Sequence, residues 1–200
     1  MLELKHIEIA LRERIPFELG HHYRTMAAVA LILVDDPTGQ AVLFLERSLH
    51  GPDPWSGNLG FPGGKFEPND ADLQATAERE THEELGLDLR QSRFLGRLDD
   101  LLGAHLPVMV ACFVYYVPIL PQLKLSHEVR RVFTVPVSAL LEPSRRIETT
   151  VHFQGDTLDR PAIRLPVPGQ DILWGISYRL VMNLIEILTI KCGERPSDGT

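Results

Sequence analysis

The chain has 200 residues, of which 44% are hydrophobic and 24% are charged, and its formal net charge is -7. This length and apolar content allow one domain with a sizeable core. The negative charge disfavours non-specific binding to nucleic acid, because a phosphate backbone pairs with a basic surface and no cluster of basic residues is visible in the sequence.

The sequence also predicts a cellular location. No apolar run approaches the length of a membrane span, and the first residues are too charged for a secretory signal. Cys112 and Cys192 lack the spacing of a metal or redox pair and are expected to be free thiols. We therefore expect a cytoplasmic protein that does not bind membranes.

The N-terminal part of the chain predicts a helix followed by a β-hairpin. Residues 4–14 have the pattern of a short amphipathic helix, and 27–34 form an apolar run typical of a buried strand. The turn residues 35–39 precede a returning strand at 41–46. The segment 47–60 is rich in Gly, Pro and Asp and is expected to be a loop.

A glycine-rich stretch, Phe61-Pro62-Gly63-Gly64-Lys65, comes next. We expect a turn here, where the absence of side chains lets backbone amides approach a diphosphate. The stretch does not match a nucleotide P-loop, since Phe66 stands where Ser or Thr would bind Mg²⁺ and the preceding Gly is one residue out of place.

The following segment predicts a helix that carries carboxylates on one face. Glu80, Glu83 and Glu84 fall within about a third of the helix circumference. Such carboxylates repel one another and cost stability unless a positive charge sits among them, and a divalent cation would supply it. Arg79 is placed to reach Glu83 one turn later.

The same helix has predicted ends and a predicted inner face. Asp70 or Asp72 can cap its start, and Gly86 suits the left-handed residue that ends it. A stripe beside the acidic face is apolar and small enough to lie against a sheet: Leu73, Ala77, Thr81 and Leu85.

These residues resemble the signature of the Nudix hydrolases, G-x5-E-x7-R-E-U-x-E-E-x-G-U with U aliphatic. The segment 79–87 matches it except for Thr81 at the first aliphatic position. Counted from Gly64 the acidic position is Asp70, and counted back from Arg79 it is Ala71, so one extra residue lies between the two halves. The resemblance implies that Glu80, Glu83 and Glu84 bind Mg²⁺ or Mn²⁺.

The extra residue and the Phe-Pro-Gly-Gly-Lys lead-in are similar to the coenzyme A pyrophosphatase branch of that family. A further signature of the branch, L-L-T-x-R-S/A-x3-R-x3-G-x3-F-P-G-G, is partly present, but its spacing here is one residue longer and it lacks the second Arg. The matching residues are Leu43, Arg47, Ser48, Gly57, Phe61, Pro62, Gly63 and Gly64.

The C-terminal half continues the alternation of strands and helices. Strands are predicted at 94–98, 108–117 and 132–136, a helical turn at 137–141, a second hairpin at 147–153 and 162–165, and a helix at 174–190. We expect one Nudix hydrolase domain over residues 1–200, with a frayed tail at 193–200. The resemblance implies an α/β fold, an α/β/α sandwich with a mixed β-sheet between helices.

Two further residues have an ordinary interpretation and a functional one. Glu128 stands where many Nudix relatives place an acidic residue near the metals or the attacking water, and it is equally an exposed loop carboxylate. Trp174 either lines a base or pantetheine pocket or belongs to the core at the start of the last helix.

The resemblance implies a metal-dependent pyrophosphohydrolase that cleaves the diphosphate of a small-molecule nucleoside diphosphate derivative, with a coenzyme A-like compound preferred. The alternatives are ADP-sugars, other dinucleotides, or ligand binding without hydrolysis. Pairing into a homodimer stays open. We assign the candidate roles as follows: Glu83, or else Glu80 or Glu128, as the base; Arg79 as the residue that holds Glu83; and Gly63, Gly64, Lys65 and Arg47 as diphosphate contacts.

Overall fold

The computed structural model describes residues 3–20, 23, 25–49, 57–103, 107–153, 155–167 and 171–193. Within these ranges the chain alternates between strands and helices, as the sequence predicts. The helices are α1 (Leu4–Arg12), α2 (Leu73–Leu85), α3 (Val137–Leu141) and α4 (Gly175–Gly193). The strands are β1 (Thr25–Asp36), β2 (Gly39–Arg47), β3 (Leu59–Gly60), β4 (Gly63–Lys65), β5 (Arg93–Arg97), β6 (Leu101–Leu102), β7 (Val108–Tyr116), β8 (Val129–Pro136), β9 (Arg146–Phe153), β10 (Asp156–Arg164) and β11 (Ile172–Trp174).

The main sheet is mixed. Its path through the described residues is β3-β2-β1-β7-β5, while β4 pairs with β1, β6 with β7 and β8 with β2. The two long inner strands β1 and β7 run parallel, in register from Thr25 opposite Val108 to Leu33 opposite Tyr116. The other pairings in this sheet are antiparallel. The predicted mixed sheet is therefore confirmed.

The predicted first hairpin is confirmed, and its strands are longer than expected. Asp36 pairs with Gly39 across the turn, and the Asp36 carboxylate accepts hydrogen bonds from the Thr38 amide at 2.8 Å and the Thr38 hydroxyl at 2.6 Å. The polar ends of both strands do not look like buried strand in the sequence, but pairing with neighbours extends the ladder over them.

Two apolar layers cover the two faces of the sheet. Alternate residues of β1 point to opposite sides, so Ala28 and Ile32 pack with α2 while Leu31 and Leu33 pack with α1 and α4. The predicted inner face of α2 is fully buried. Asp72 caps the helix by accepting a hydrogen bond from the Ala75 amide at 2.8 Å, and Gly86 ends it in the left-handed conformation.

A second, three-stranded sheet of order β11-β10-β9 supports α4. The predicted hairpin is present, but its second strand begins at Asp156 instead of residue 162. Asp156 and Thr157 are exposed and polar, so sequence periodicity does not reveal them as strand. Trp174 was predicted to open the last helix, yet it ends β11 opposite Ala162, and the left-handed Gly175 makes the transition to α4.

Three other sequence expectations end differently. The first helix stops at Arg12 instead of residue 14. The loop expected at 47–60 carries β3 at its end, and its residues 50–56 lie outside the described residues. The tail beyond Gly193 also lies outside them. No helix within the described ranges is both long enough and apolar enough to cross a bilayer.

Candidate active site

A cleft of about 710 Å³ opens between the main sheet, the acidic face of α2 and the start of α4. The fold brings every predicted site residue to this one cleft, although they come from separate parts of the chain. They are Arg47, Gly63, Gly64, Lys65, Arg79, Glu80, Glu83, Glu84 and Glu128.

Arg79 links the acidic face of α2 to the neighbouring strand β4. Its Nη1 donates hydrogen bonds to Glu80 at 2.9 Å and to Glu83 at 3.2 Å, and its Nη2 donates to the Lys65 carbonyl at 3.0 Å. The predicted contact with Glu83 is present. The guanidinium also reaches Glu80, a contact that the sequence did not predict, and Glu80 still lines the cleft.

Asp70 anchors the other edge of that guanidinium. Its carboxylate accepts from Arg79 Nε at 2.8 Å and Nη2 at 3.1 Å, and also from the Thr76 hydroxyl and the Glu67 amide. The hydrogen bond from Arg79 lowers the pKa of Asp70 to about 2, against the effect of burial. Asp70 therefore holds Arg79 in place, while the cap of α2 belongs to Asp72.

Glu84 lies beneath the cleft with only 6% of its side chain exposed. Its Oε2 accepts a hydrogen bond from the Gly63 amide at 2.9 Å, and its Oε1 lies 3.8 Å from Arg47 Nη1. Burial raises the pKa of Glu84 to about 7, because the loss of hydration outweighs these two favourable contacts. The Gly63 amide is thus engaged by Glu84 in this structure and is not directed at a substrate.

The diglycine is a strand and not the predicted turn. It pairs with β1, with Ala28 opposite Gly64 and Val29 opposite Gly63. A β-carbon on Gly63, whose φ is +154°, would lie 2.3 Å from the Ala28 carbonyl oxygen. A β-carbon on Gly64 would lie 2.3 Å from the Glu80 carboxylate. Because these two glycines have no side chains, Gly63 can lie close to the backbone of β1 and Gly64 can lie close to the Glu80 carboxylate.

Glu80 and Glu128 add two further carboxylates to the lining of the cleft. Burial raises the pKa of Glu80, assisted by the charges of Glu83 and Glu128 and opposed by Arg79. The turn that carries Glu128 is fixed at both sides, because the Ser48 amide donates to the Glu128 carbonyl at 2.7 Å and the Ser126 amide donates to the Glu84 carbonyl at 2.9 Å. The turn therefore holds Glu128 beside the cleft, where its residue is exposed, so both interpretations of Glu128 stay open.

The carboxylates suit a hard divalent cation by their chemistry, since oxygen donors are what Mg²⁺ and Mn²⁺ prefer. In the described part of the chain, however, no three acidic, imidazole or thiol groups already converge on one point. Arg79 draws Glu80 and Glu83 toward itself, whereas Glu84 is turned to Gly63. Ion binding would therefore require rotation of these side chains. Burial disfavours the anionic form of Glu84 and raises its pKa, and a bound cation would stabilise that anionic form.

Comparison with known proteins agrees with this fold. The NUDIX domain family model matches residues 24–153. An uncharacterized protein of Schizosaccharomyces pombe is 36% identical over 185 residues, covering 74% of this chain and 56% of that protein. The human mitochondrial coenzyme A diphosphatase NUDT8 is 30% identical over 164 residues, covering 81% of this chain and 69% of that protein.

A solved structure shows the same fold. The crystal structure of a MutT/nudix family protein from Enterococcus faecalis matches with a TM-score of 0.61 at 16% identity, covering 92% of this chain and 68% of that one. The chain belongs to the Nudix hydrolase family, as its sequence predicts. It spans a little over half the length, 56%, of the fission yeast relative.

Proposed function

We propose that this chain is a metal-dependent pyrophosphohydrolase that splits the diphosphate linkage of a nucleoside diphosphate derivative. The observation that carries the proposal is a cleft lined by five glutamates beside Arg79 and Arg47, namely Glu67, Glu80, Glu83, Glu84 and Glu128. A diphosphate is itself anionic, so such a cleft would repel it without cations. Family membership supports the same chemistry, because Nudix hydrolases use divalent ions such as Mg²⁺ or Mn²⁺.

Glu80, Glu83 and Glu84 are the residues that would hold these ions. When bound, the ions would offset the charge of the diphosphate and polarise the attacking water. Arg79, fixed by Asp70, orients the carboxylates of Glu80 and Glu83 through its Nη1.

One carboxylate takes the proton from the attacking water. Glu83 is preferred because its side chain is 57% exposed and lies at the mouth of the cleft, where water reaches it. Glu80 and Glu128 are the alternatives. Lys65 and Arg47, which also line the cleft, would contact the oxygens of the diphosphate.

A coenzyme A-like compound is our preferred substrate. The partial branch signature in the sequence supports it, as does the similarity to a human coenzyme A diphosphatase. ADP-sugars and other dinucleotides are the alternatives within hydrolysis. Residues 1–200 would form a single domain, while the cytoplasmic location and the homodimer stay predictions.

The test is product analysis with purified protein, Mg²⁺ or Mn²⁺, and a panel of coenzyme A, ADP-ribose and a dinucleoside diphosphate. We expect two phosphorylated products from coenzyme A and none when the metal is chelated. Glu83→Gln should lower kcat by about 10²–10⁴-fold, the range of a general base. Glu148→Gln, an exposed glutamate on β9 outside the cleft, is the matched control and should retain activity.

Two outcomes would contradict parts of this proposal. Cleavage of ADP-ribose with coenzyme A untouched would exclude the preferred substrate. The chain would be a Nudix ligand-binding module instead of a hydrolase if it binds coenzyme A but cleaves no diphosphate with either metal. In that case the Glu83→Gln variant should bind coenzyme A as tightly as the wild type does.

A further inference from the structure

The cleft continues away from the carboxylates to an apolar wall. This wall consists of Trp174, Gly175, Ile176, Ser177 and Leu180, from the end of β11 and the first turns of α4. The facing surface is the sheet, where Val108 and Val110 of β7 line the same cleft. One cleft thus has an anionic end and an apolar end, which suits a substrate whose diphosphate carries a largely apolar arm.

The wall offers little to the hydroxyls of a sugar. The hydroxyl group of the wall, that of Ser177, donates its proton to the Leu59 carbonyl at 3.2 Å. The side chains of Ile176 and Leu180 have no hydrogen-bonding atoms, so a sugar placed against them would lose hydration of its hydroxyls without compensation from these two residues. An alkyl chain with amide groups would bury its methylenes there and keep its amides at the open side.

The tryptophan of this wall is held in place from several sides. Trp174 pairs with Ala162 in the second sheet, and its ring meets the Phe153 ring edge-on with centroids 5.8 Å apart. The adjacent Leu173 is fully buried. A positioned aromatic ring binds a flexible arm with less loss of entropy than a mobile one.

An ion-pair bridge fixes the strand that carries this wall to the main sheet. Arg131 of β8 contacts Asp171, which immediately precedes β11, and its Nε lies 2.5 Å from the Glu46 carboxylate. Glu46 is next in sequence to Arg47, which lines the anionic end of the cleft. The two ends of the cleft are therefore braced against each other.

The wall also lies in a different part of the chain from the carboxylates of α2. The NUDIX family match ends at residue 153, whereas the wall begins at Trp174. The segment outside the match therefore contributes a surface to the reacting cleft, and its side chains can differ without changing the carboxylates that act on the diphosphate.

We propose that Trp174 and Ile176 are specificity-determining residues that bind the non-phosphorylated arm of the substrate, and that this arm is an amide-containing alkyl chain, as in the pantetheine arm of coenzyme A. The inference rests on the proposed function for the diphosphate end of the cleft. According to this proposal the apolar wall favours substrates in which an alkyl arm, and not a second sugar, follows the diphosphate.

The experiment compares coenzyme A with ADP-ribose, which has a sugar in place of the chain. In Trp174→Ala and Ile176→Ala we expect KM for coenzyme A to rise about tenfold, while kcat and the KM for ADP-ribose stay within about twofold, because uniform binding of one arm is lost. Ile119→Ala is the matched control, since this isoleucine is 83% exposed and lies outside the cleft.

Binding of pantetheine alone, followed by ligand-observed NMR without metal, separates this inference from the hydrolysis. Saturable binding to the wild type that is lost in Trp174→Ala supports the arm site even if the wild type cleaves nothing. Cleavage of coenzyme A with an unchanged KM in both variants overturns the arm site but leaves the proposed hydrolysis standing. Equal rises in KM for coenzyme A and ADP-ribose also overturn it, because the wall would then not distinguish the arms.

Discussion

Glu84 is the residue at which the stability of the fold and the proposed metal binding oppose each other most clearly. It is buried, and its contacts with the Gly63 amide and Arg47 do not compensate for its lost hydration, so its pKa rises from 4.5 to about 7. Above pH 7 both the folded and the unfolded protein carry this group ionised, and only the folded protein bears the cost of burying it. Glu84 therefore destabilises the metal-free fold at neutral and alkaline pH.

We predict that Glu84→Gln stabilises the metal-free protein at pH 8. A glutamine keeps an oxygen for the Gly63 amide and removes the buried charge, so the gain should be on the order of 2 kcal/mol, given about 1.4 kcal/mol for each tenfold change in the ionisation equilibrium. As the pH falls through about 7 the folded wild type takes up a proton, so the gain should shrink and vanish near pH 4.5. Thermal unfolding in EDTA at pH 8 and pH 5 measures it.

Glu83→Gln is the comparison for that measurement. Glu83 is more than half exposed, so removal of its charge should leave the unfolding temperature nearly unchanged. Added Mg²⁺ should raise the unfolding temperature of the wild type and not of Glu84→Gln. A Glu84→Gln protein no more stable than the wild type at pH 8 would show that the buried charge carries no cost.

At the scale of elements, the short strand β4 fixes the distance between the sheet and α2. Its two glycines face different neighbours: Gly63 lies against the backbone of β1, and Gly64 lies against the Glu80 carboxylate. The consequence of an added methyl group depends on what it meets. Backbone within a sheet does not move readily, whereas the end of a glutamate side chain does.

We predict that alanine at these adjacent positions separates stability from function. Gly63→Ala should lower the free energy of unfolding by about 2–4 kcal/mol, because the methyl group overlaps the Ala28 carbonyl and the residue is strained at φ +154°. Gly64→Ala should change it by less than about 1 kcal/mol, yet displace the Glu80 carboxylate and weaken Mg²⁺ binding. Urea unfolding and calorimetry measure the two effects.

Gly155→Ala separates backbone strain from overlap. Its φ is +88° and, among the described residues beyond its chain neighbours, no atom lies within 4 Å of an added β-carbon, so it should show only the strain of about 1 kcal/mol. Equal losses of stability for alanine at positions 63 and 155 would argue that overlap with β1 contributes nothing.

At the scale of the whole molecule, the hydrophobic core extends beyond the residues that match the family model. The family match ends at residue 153, but α4 buries a row of apolar side chains in the same cluster as Leu31 and Phe44 of the central strands. The buried residues of α4 in this cluster are Leu180, Val181, Leu184, Ile185, Ile187 and Leu188.

We predict that a chain ending at Phe153 does not fold. Each fully buried aliphatic side chain contributes roughly 1.5–3 kcal/mol, so the loss of the α4 row is comparable with the whole stability of a domain, about 5–15 kcal/mol. The shortened chain should lack a near-ultraviolet circular dichroism signal and a cooperative thermal transition, while the full chain shows both. A sharp transition in the shortened chain would make residues 154–193 a separable addition.

Local patterns in the sequence were sufficient for α2 and its two faces. Its buried stripe, its end at Gly86 and the reach of Arg79 to Glu83 all follow from the 3.6-residue period and from backbone conformations that depend on neighbours in the chain. The signature along this helix also predicted the family correctly.

Tertiary structure decided what depends on partners distant in the sequence. The diglycine becomes a strand because β1 offers it an edge, Asp70 anchors Arg79 because the chain bends back before α2, and Glu128 is brought to the cleft by a turn tied to Ser48. Trp174 likewise ends a strand and lines the cleft because β10 pairs with it. The sequence by itself determined α2, its acidic face and the family, because these depend on residues within two helical turns of one another. The cleft and its two ends depend on contacts between segments tens of residues apart, which no local pattern encodes.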